Sequence, residues 1–301
     1  MFRSSRKKQQ QLVAEPRRSE TDALDEGVPD HLEIPLRQWV MAILQADEDN
    51  AQRVALHLRL RVDTGRHEYS PARFLAVSTT KEQLLDVINT MLLFSAPAEA
   101  DGQAYRFDTS RYVPGTADRN KAIHVLQDML TVGGSAYRVN DARTGLELRV
   151  GPTTQQAMSS ALAASRIPSC GSAADHLATA WQSTYGRNPD SSKAYSEAIK
   201  AVESAAQALI EPNNKKATLG SMLGEIRNGP QRFITAIPAA GTEDDITLVA
   251  DLMRRLWQGQ TSRHGSQNGT RLETQQEAEM AVHLASTLVQ WFAVGLIHRA
   301  P

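Results

Sequence analysis

The sequence predicts a mostly α-helical protein, with a helical bundle in its C-terminal half and an α+β domain before it. The chain has 301 residues, which is enough for two domains of ordinary size. Over much of this length apolar residues recur at the three- and four-residue spacing of amphipathic helices. A stretch rich in Pro, Gly and Ser, "ASRIPSCGS" at 164–172, interrupts the pattern and marks the domain boundary.

Composition favours an ordinary globular protein. Hydrophobic residues make up 41% of the chain, charged residues 22%, and the formal net charge is −1. This balance gives no global argument for nucleic-acid or membrane binding, so any such site must be local. No segment reaches the ~18 apolar residues of a membrane span, and the N-terminus lacks the apolar core of a signal peptide. The lone Cys170 excludes an intramolecular disulfide, and we expect a cytoplasmic protein.

Residues 1–30 are predicted to form a disordered, charged tail. Positions 1–18 hold six Lys and Arg residues against one Glu, and 19–30 then become acidic. Charge runs without apolar periodicity remain solvated. Order is expected to begin near Pro29.

The domain at 31–168 is predicted to begin with helices. From His31 to Gln45, and again in "KEQLLDVINTMLLF" and "ADRNKAIHVLQDMLTV", apolar residues recur at helical spacing. The segment "RVALHLRLRV" is ambiguous. Its strict alternation from Val54 to Val62 favours a strand, whereas its leucine content and the preceding Asp-Asn-Ala favour a helix.

A β-hairpin is predicted directly after the last of these helices. Ala136–Val139 and Leu146–Val150 alternate around the polar turn "NDARTG". A helix followed by a hairpin is similar to the recognition helix and wing of a winged helix, although many α+β domains share this order. The hairpin therefore leaves two interpretations of the 31–168 domain open.

The region 172–301 is predicted to be nearly all helix. In "SKAYSEAIKAVESAAQALI" an apolar stripe runs from Tyr195 to Leu209, and Lys200 and Glu203 fall on an adjoining polar stripe. A shorter helix, "KATLGSMLGEIR", is followed by Asn-Gly-Pro.

Two further helices complete this region. Asp244 or Asp245 is expected to cap "ITLVADLMRRLWQ". The pattern Thr274-x-x-Glu277 predicts a capping box at the start of a last helix that extends to about Ile297.

The last helix is apolar nearly all round, which is typical of the centre of a bundle or of a dimer interface. Trp291 and Phe292 are aromatic residues of the kind that interfaces use, so a homodimer is predicted. The alternative is that both side chains simply fill the core of the monomer.

The segment "LWQGQTSRHGSQNG", 256–269, is the candidate site. It places Arg263 beside His264 in a glycine-rich loop between two long helices. Histidine titrates near neutral pH and transfers protons, and arginine stabilises an anionic phosphorane. The pair is sufficient for RNA cleavage without a metal, because the ribose 2′-hydroxyl supplies the nucleophile. The alternative is an ordinary polar surface turn.

At 172–301 the chain resembles the HEPN-type C-terminal domain of bacterial abortive-infection proteins. The resemblance rests on "SKAYSEAIKAVESAA", "NNKKATLGSMLGEIR", "LWQGQTSRHG" and "AVHLASTLVQWF". The N-terminal half is similar to the accessory domain of the AbiJ-like group, chiefly through "SAYRVNDARTGLELRV". The resemblance implies a helical bundle that dimerises, and a metal-independent ribonuclease used in phage defence.

The motif that the resemblance implies is an arginine, four to six residues, and a histidine. With His264 as the histidine, the arginine position nearest to this spacing holds Trp257. Arg255 is too far along the chain and Arg263 is adjacent to the histidine, so either one has taken the role from another backbone position or the nuclease is degenerate. Lys200 and Glu203 are candidate supporting residues, with a solvated helix face as the alternative.

Two functions therefore remain open. The first is an endoribonuclease with His264 as acid and base and with RNA as substrate. The second is a catalytically degenerate scaffold that senses a nucleic-acid or protein trigger through the N-terminal domain. No cofactor signature and no metal-ligand spacing are found, so neither a cofactor nor a metal is predicted.

Overall fold

The protein is mostly α-helical, as the sequence predicts. Eleven α-helices and four three-residue strands lie within the part of the chain that the structure describes. Their buried apolar residues form two clusters, a first core between 28 and 146 and a second core between 158 and 297. The structure is a computed structural model and describes residues 24–62, 70–95, 116–241, 243–262 and 270–301.

Five helices and a hairpin surround the first core. Leu36, Leu84 and Leu126 are fully buried in it. The elements are α1 (Asp30–Leu44), α2 (Glu48–His57), α3 (Pro71–Val77), α4 (Lys81–Phe94), α5 (Thr116–Val132), β1 (Tyr137–Val139) and β2 (Leu146–Leu148).

The ambiguous segment "RVALHLRLRV" is a helix as far as His57 and irregular beyond it. The Asp47 side chain accepts a hydrogen bond from the Asn50 backbone N–H and so caps α2. The first residues of the alternating pattern therefore belong to the last turn of α2, and the strand alternative for this segment is wrong.

The predicted tail is too long at its C-terminal end. Asp25 exchanges backbone hydrogen bonds with Gly134 and Ala136 beside the hairpin, and Val28 is buried in the first core. Residues 24–30 are therefore part of the folded domain. Residues 1–23 lie outside the described part of the chain.

The predicted hairpin is confirmed, with Val139 opposite Leu146 and Tyr137 opposite Leu148 in an antiparallel pair. It is covered on both sides. Leu146 is fully buried in the first core, whereas the neighbouring Glu147 points to the second core and accepts a hydrogen bond from Trp181. The winged-helix resemblance of this domain stays a prediction.

The second core contains six helices and a small sheet. The elements are α6 (Pro152–Ala164), α7 (Ala173–Tyr185), α8 (Ser191–Ile210), α9 (Leu219–Asn228), β3 (Phe233–Thr235), α10 (Thr247–Gly259), α11 (Gln275–Ala293) and β4 (Ile297–Arg299). The helical bundle predicted for 172–301 thus gains one helix from the preceding region.

The two cores divide the chain earlier than the Pro-Gly-Ser stretch suggests. Met158 and Ala161 of α6 are buried in the second core, where α6 packs on α11. The junction lies at about Gly151, which follows the hairpin and is the N-cap residue of α6. The stretch at 164–172 is a turn inside the second unit.

Helix α11 lies at the centre of the bundle, packed on α8, α6 and α7. Its capping box is confirmed, since Thr274 and Glu277 exchange side-chain and backbone hydrogen bonds. The helix ends at Ala293 rather than near Ile297, because Gly295 adopts a positive φ of 73°. Ile297 begins β4, which pairs with β3.

The expected cap of α10 is not observed. The first residue before the helix is Ile246, and no side chain caps it. Asp245 instead accepts a hydrogen bond from the backbone N–H of Ala239 at 2.7 Å, which stabilises the preceding loop. Neither Asp244 nor Asp245 therefore fills the predicted role with its side chain.

Polar contacts join the two cores. The Glu147 side chain, 2% exposed, accepts hydrogen bonds from Arg138 Nε at 2.8 Å and from Trp181 Nε1 at 3.2 Å. Arg187, which follows α7, donates its backbone N–H to the Leu146 carbonyl. Its guanidinium reaches Asp86 Oδ1 at 2.8 Å and the Tyr137 hydroxyl at 2.9 Å. We call the cluster of Glu147, Arg138 and Trp181 the junction.

Within the described ranges, no helix combines the length and the apolar character needed to cross a membrane.

Candidate functional site

The candidate loop connects α10 to α11. Arg263 and His264 lie outside the described residues, which resume at Thr270. Both ends of the loop are described, up to Ser262 and from Thr270 onwards. The site is therefore built here from the framework that carries the Arg-His pair.

A buried carboxylate joins the two ends of the loop. Glu273 is only 5% exposed. It accepts hydrogen bonds from the Ser262 backbone N–H at 2.8 Å, from the Ser262 hydroxyl at 2.9 Å and from the Ser192 hydroxyl at 2.6 Å. Ser192 belongs to the first turn of α8. We call the cluster of Glu273, Ser262 and Ser192 the loop base.

The loop base holds a charge although its partners are neutral. Burial by itself raises the pKa of Glu273, but the hydrogen bonds from Ser192 and from the backbone N–H and hydroxyl of Ser262 outweigh it. They hold the pKa at about 2. The carboxylate is therefore ionised at any pH at which the protein would act, and its hydrogen bonds are of the strong, charge-assisted kind.

Further contacts fix the same two chain segments. The Thr261 hydroxyl donates to the Arg271 carbonyl at 2.9 Å, which bridges the loop once more. The Arg271 guanidinium pairs with Glu277, the capping residue of α11. The pKa of Glu277 falls to about 2, because Arg271 donates to it and the Thr274 backbone does so too. The loop is thereby linked directly to the start of α11.

The end of α10 is held from the other side by Tyr195 of α8. The Tyr195 hydroxyl donates to the Leu256 carbonyl at 3.1 Å. A Cβ atom on Gly259 would come within 2.3 Å of the same hydroxyl. A glycine is thus required at 259 because the tyrosine lies against the backbone there. This contact explains the one glycine of the segment that precedes the Arg-His pair.

Arg255 is exposed on α10, just before Leu256. Its neighbour Arg254 pairs with Asp251 on the same helix. For Arg255 no ion pair is found within the described ranges. Of the three predicted catalytic residues, it is the one whose position the structure describes.

Lys200 and Glu203 have contacts that lead in different directions. Lys200 donates to Glu197 at 2.7 Å, and Glu197 also contacts His176 Nδ1 of α7 at 2.6 Å. Glu203 accepts a hydrogen bond from the Leu219 backbone N–H at 2.8 Å, at the start of α9. These contacts lead to α7 and α9 and do not reach the loop base.

Trp257, at the position where the resemblance predicts an arginine, packs on α9. A Cβ atom on Gly220 would come within 2.9 Å of the Trp257 ring, so the small residue makes room for the indole. Trp257 is partly buried against the second core. The position is therefore a helix-packing position in this chain.

Sequence reasoning missed Glu273 and Ser192. Glu273 directly precedes the capping threonine, so the capping box drew attention away from it. Ser192 lies two positions after Asp190, which caps α8 by accepting a hydrogen bond from the Lys193 backbone N–H. An acidic residue between Leu272 and the capping box was the one available signal, because a carboxylate that ends a loop often accepts its backbone N–H groups.

Metal and thiol chemistry find no support in the described residues. Among them, no three His, Cys, Asp or Glu side chains come together as metal ligands would. Cys170 is 2% exposed, and burial raises the pKa of its thiol, so the reactive thiolate is disfavoured.

No protein-family model, curated protein or solved structure matches this chain.

Proposed function

We propose that the protein is a metal-independent endoribonuclease of the abortive-infection type, acting in the cytoplasm, with 256–269 as its catalytic loop. The observation that supports this function is the loop base, where ionised Glu273 ties Ser262 to Ser192. A displacement of about 1 Å in a catalytic group costs ~10²-fold in rate, so such groups need a rigid support. A loop held by a buried carboxylate meets this need better than a free surface turn.

The chemistry needs only the loop residues and the substrate. His264 removes the proton from a ribose 2′-hydroxyl, whose oxygen then bonds to the adjacent phosphorus. The bond from phosphorus to the 5′-oxygen breaks, and this oxygen takes the proton back from the imidazolium. The products are a 2′,3′-cyclic phosphate and a 5′-hydroxyl, and Arg263 or Arg255 stabilises the charge on the phosphorane.

The test is RNA cleavage by His264→Ala. General acid and base catalysis contributes ~10²–10⁴-fold, so the variant is expected to lose cleavage by about that factor. Arg263→Ala and Arg255→Ala, made separately, identify the arginine that serves, and EDTA is expected to have no effect. Arg254→Ala is the matched control, because Arg254 is paired with Asp251. Full activity of His264→Ala would refute the nuclease.

A second function is favoured by the packing of Trp257 on Gly220. If this side chain has replaced the motif arginine, the bundle is a degenerate scaffold that binds RNA or a protein. Trp257→Arg restores the family spacing to His264. A wild-type protein without cleavage activity that gains it through Trp257→Arg would establish the scaffold function. An active wild-type protein would exclude it.

The proposed enzyme is a homodimer through the outer face of α11. Met280 is 59% exposed and Val294 52%, and Leu284, Thr287 and Trp291 lie between them at helical spacing. Phe292 is 9% exposed and belongs to the core of the monomer. For this side chain, core packing was the stated alternative to an interface. Two candidate loops that face each other across the two-fold cleft would support the nuclease, and loops on opposite outer faces would count against it.

Light scattering at micromolar concentration tests the dimer. Met280→Asp is expected to give a monomer, because a charge would be buried in the interface. Leu272→Asp is the matched control, since Leu272 is 72% exposed and lies before α11. A monomeric wild-type protein would contradict the dimer.

A further inference from the structure

Two arginines meet at the turn of the hairpin. Arg119 lies near the start of α5, and Arg143 lies in the turn between β1 and β2. Arg119 Nη2 donates to the Arg143 carbonyl at 3.2 Å, and Arg143 Nη1 donates to Asn120 Oδ1 at 2.5 Å. These hydrogen bonds hold two like charges close together, an arrangement that is unfavourable without an anion.

Among the side chains that the structure describes, which exclude those of residues 116–118, no carboxylate pairs with either arginine. The neighbouring Arg138 pairs with Glu147 and Asp141, whereas Arg119 and Arg143 form no ion pair among these side chains. The Nε atom of Arg119 is buried and has no hydrogen-bond partner. Burial, and then the charge of Arg143, lower the pKa of the Arg119 guanidinium. A buried donor without a protein partner is free to donate to an anion, and such groups are rare in native structures.

The backbone of the turn holds Arg143 in an unfavourable conformation. Its φ is 58°, in the left-handed region that residues other than Gly, Asn and Asp rarely adopt. The side chain is exposed, so packing does not explain an arginine at this position. Residues held in such conformations cluster at binding sites.

Helix α5 adds positive potential at the same place. It is 17 residues long, and its N-terminal end carries the positive end of the helix dipole. Lys121 is exposed one position after Asn120. The two guanidinium groups, the helix end and the nearby lysine all favour an anion, and a guanidinium fits the oxygens of a phosphate best.

We propose that Arg119, Arg143 and the N-terminal end of α5 bind a phosphodiester group of an RNA strand. Asn120, Lys121 and Arg143 are all exposed, so a strand can lie across the site, with Lys121 close to the next phosphate. The site belongs to the first core, whereas the candidate catalytic loop belongs to the second. The phosphate site goes beyond the nuclease and does not depend on it, whereas the choice of RNA as the strand rests on the proposed function.

The test is fluorescence anisotropy of a labelled single-stranded RNA oligonucleotide, measured over a range of salt concentrations. His264→Ala serves as the parent protein, so that binding is measured without cleavage. Each phosphate contact contributes about 0.7 to the slope of log K against log salt for a single strand. Arg143→Gln is expected to lower the slope by about 0.7, and Arg119→Gln with Arg143→Gln by about 1.4. The double variant should bind about tenfold more weakly.

The matched control is the pair Lys215→Gln and Lys216→Gln, which removes the same charge from an exposed loop of the second unit. If the control lowered the slope of log K against log salt by the same amount, the effect would come from net charge alone and the proposed site would be wrong. Arg143 is exposed, so Arg143→Gln tests the site even if the change at Arg119 impairs folding.

A second arm distinguishes a strand from free phosphate. Inorganic phosphate is added to wild-type protein and to Arg143→Gln in thermal unfolding. If phosphate stabilises only the wild-type protein while RNA binding is the same for both, the site takes free phosphate and the proposal is wrong. If the nuclease proposal fails, His264→Ala and the wild-type protein behave alike towards RNA, and the binding result is unaffected.

Discussion

The junction and the loop base each contain a buried glutamate, but the two carboxylates have different surroundings. Glu147 at the junction is 2% exposed and Glu273 at the loop base is 5% exposed. Glu147 contacts a full positive charge, Arg138, whereas the hydrogen bonds that Glu273 accepts from described residues come from hydroxyl groups and a backbone N–H. A simple count of charges would give the lower pKa to Glu147.

The opposite order is found. Burial raises the pKa of Glu147 and the charge of Asp141 adds to the rise, which the hydrogen bonds from Arg138 and Trp181 do not reverse. Hydrogen bonds lower the pKa of Glu273 to about 2 in spite of its burial. Arg138 keeps its proton, because Glu147 raises its pKa against the effect of burial.

The difference follows from depth as well as from donors. Glu147 is more deeply buried, so desolvation raises its pKa by more than its hydrogen bonds lower it, whereas the hydrogen bonds to Glu273 outweigh a smaller desolvation. Two oxygens that accept three good donors are well solvated by the protein, whereas a buried ion pair must first offset a large desolvation cost. The loop base therefore suits a site that must hold a fixed shape. The junction suits a contact that joins two cores.

The largest effect is expected from Glu147→Ala. Removal of the Glu147 carboxylate leaves the Trp181 N–H without its acceptor and leaves Arg138 with Asp141 as its remaining partner. Breaking a buried pair in this way costs about 3–5 kcal/mol of unfolding free energy. Denaturant unfolding followed by tryptophan fluorescence measures the loss. Glu243→Ala, which removes an exposed carboxylate before α10, is the control. An equally small change in unfolding free energy in both variants would show that the junction does not stabilise the fold.

Glu273→Ala is expected to have the next largest effect. Ser192 and Ser262 lose their acceptor, which costs about 2–3 kcal/mol because each buried unsatisfied donor costs about 1–3. The loop should also become more accessible to trypsin at the Arg263–His264 bond. Limited proteolysis followed by mass spectrometry detects the cut. Unchanged cleavage kinetics with unchanged stability would show that Glu273 does not hold the loop.

The two glutamates are expected to give stability opposite dependences on pH. The pKa of Glu273 falls from 4.5 to about 2 on folding. Its contribution is therefore present above about pH 4.5 and is lost as the pH falls towards 2, by up to about 3 kcal/mol. The pKa of Glu147 is raised, so its contribution is present at low pH and is lost as the pH rises through the folded value.

The two pH dependences are separated by measuring the unfolding free energy of Glu273→Gln and of Glu147→Gln as a function of pH. Glu273→Gln should remove part of the acid loss, and Glu147→Gln should remove a loss at higher pH. Curves that change in the same direction for both variants would contradict the comparison.

The smallest effect is expected from Ser192→Ala. One of three strong hydrogen bonds to Glu273 is lost, at about 1–1.5 kcal/mol, and the pKa of Glu273 should rise. Ser191→Ala is the matched control, because the Ser191 hydroxyl bonds to Gln275 at 3.3 Å instead. Denaturant midpoints compare the two variants, and a larger loss in Ser191→Ala would argue against the loop base.

Local patterns in the sequence determined most of the helices and the hairpin. The capping box at Thr274 and Glu277 was predictable because both partners are three residues apart. The hairpin register was predictable from alternation around one turn. Such features depend on neighbours along the chain, which the sequence displays directly.

Only the tertiary structure decided the boundary at Gly151, the helical form of 48–57 and the environment of the two glutamates. Glu273 receives its shortest hydrogen bond from Ser192, 81 positions earlier in the chain. Glu147 meets Trp181 across the contact between two cores. The ionisation of a buried carboxylate depends on donors that folding brings to it, and no spacing within a single segment specifies them.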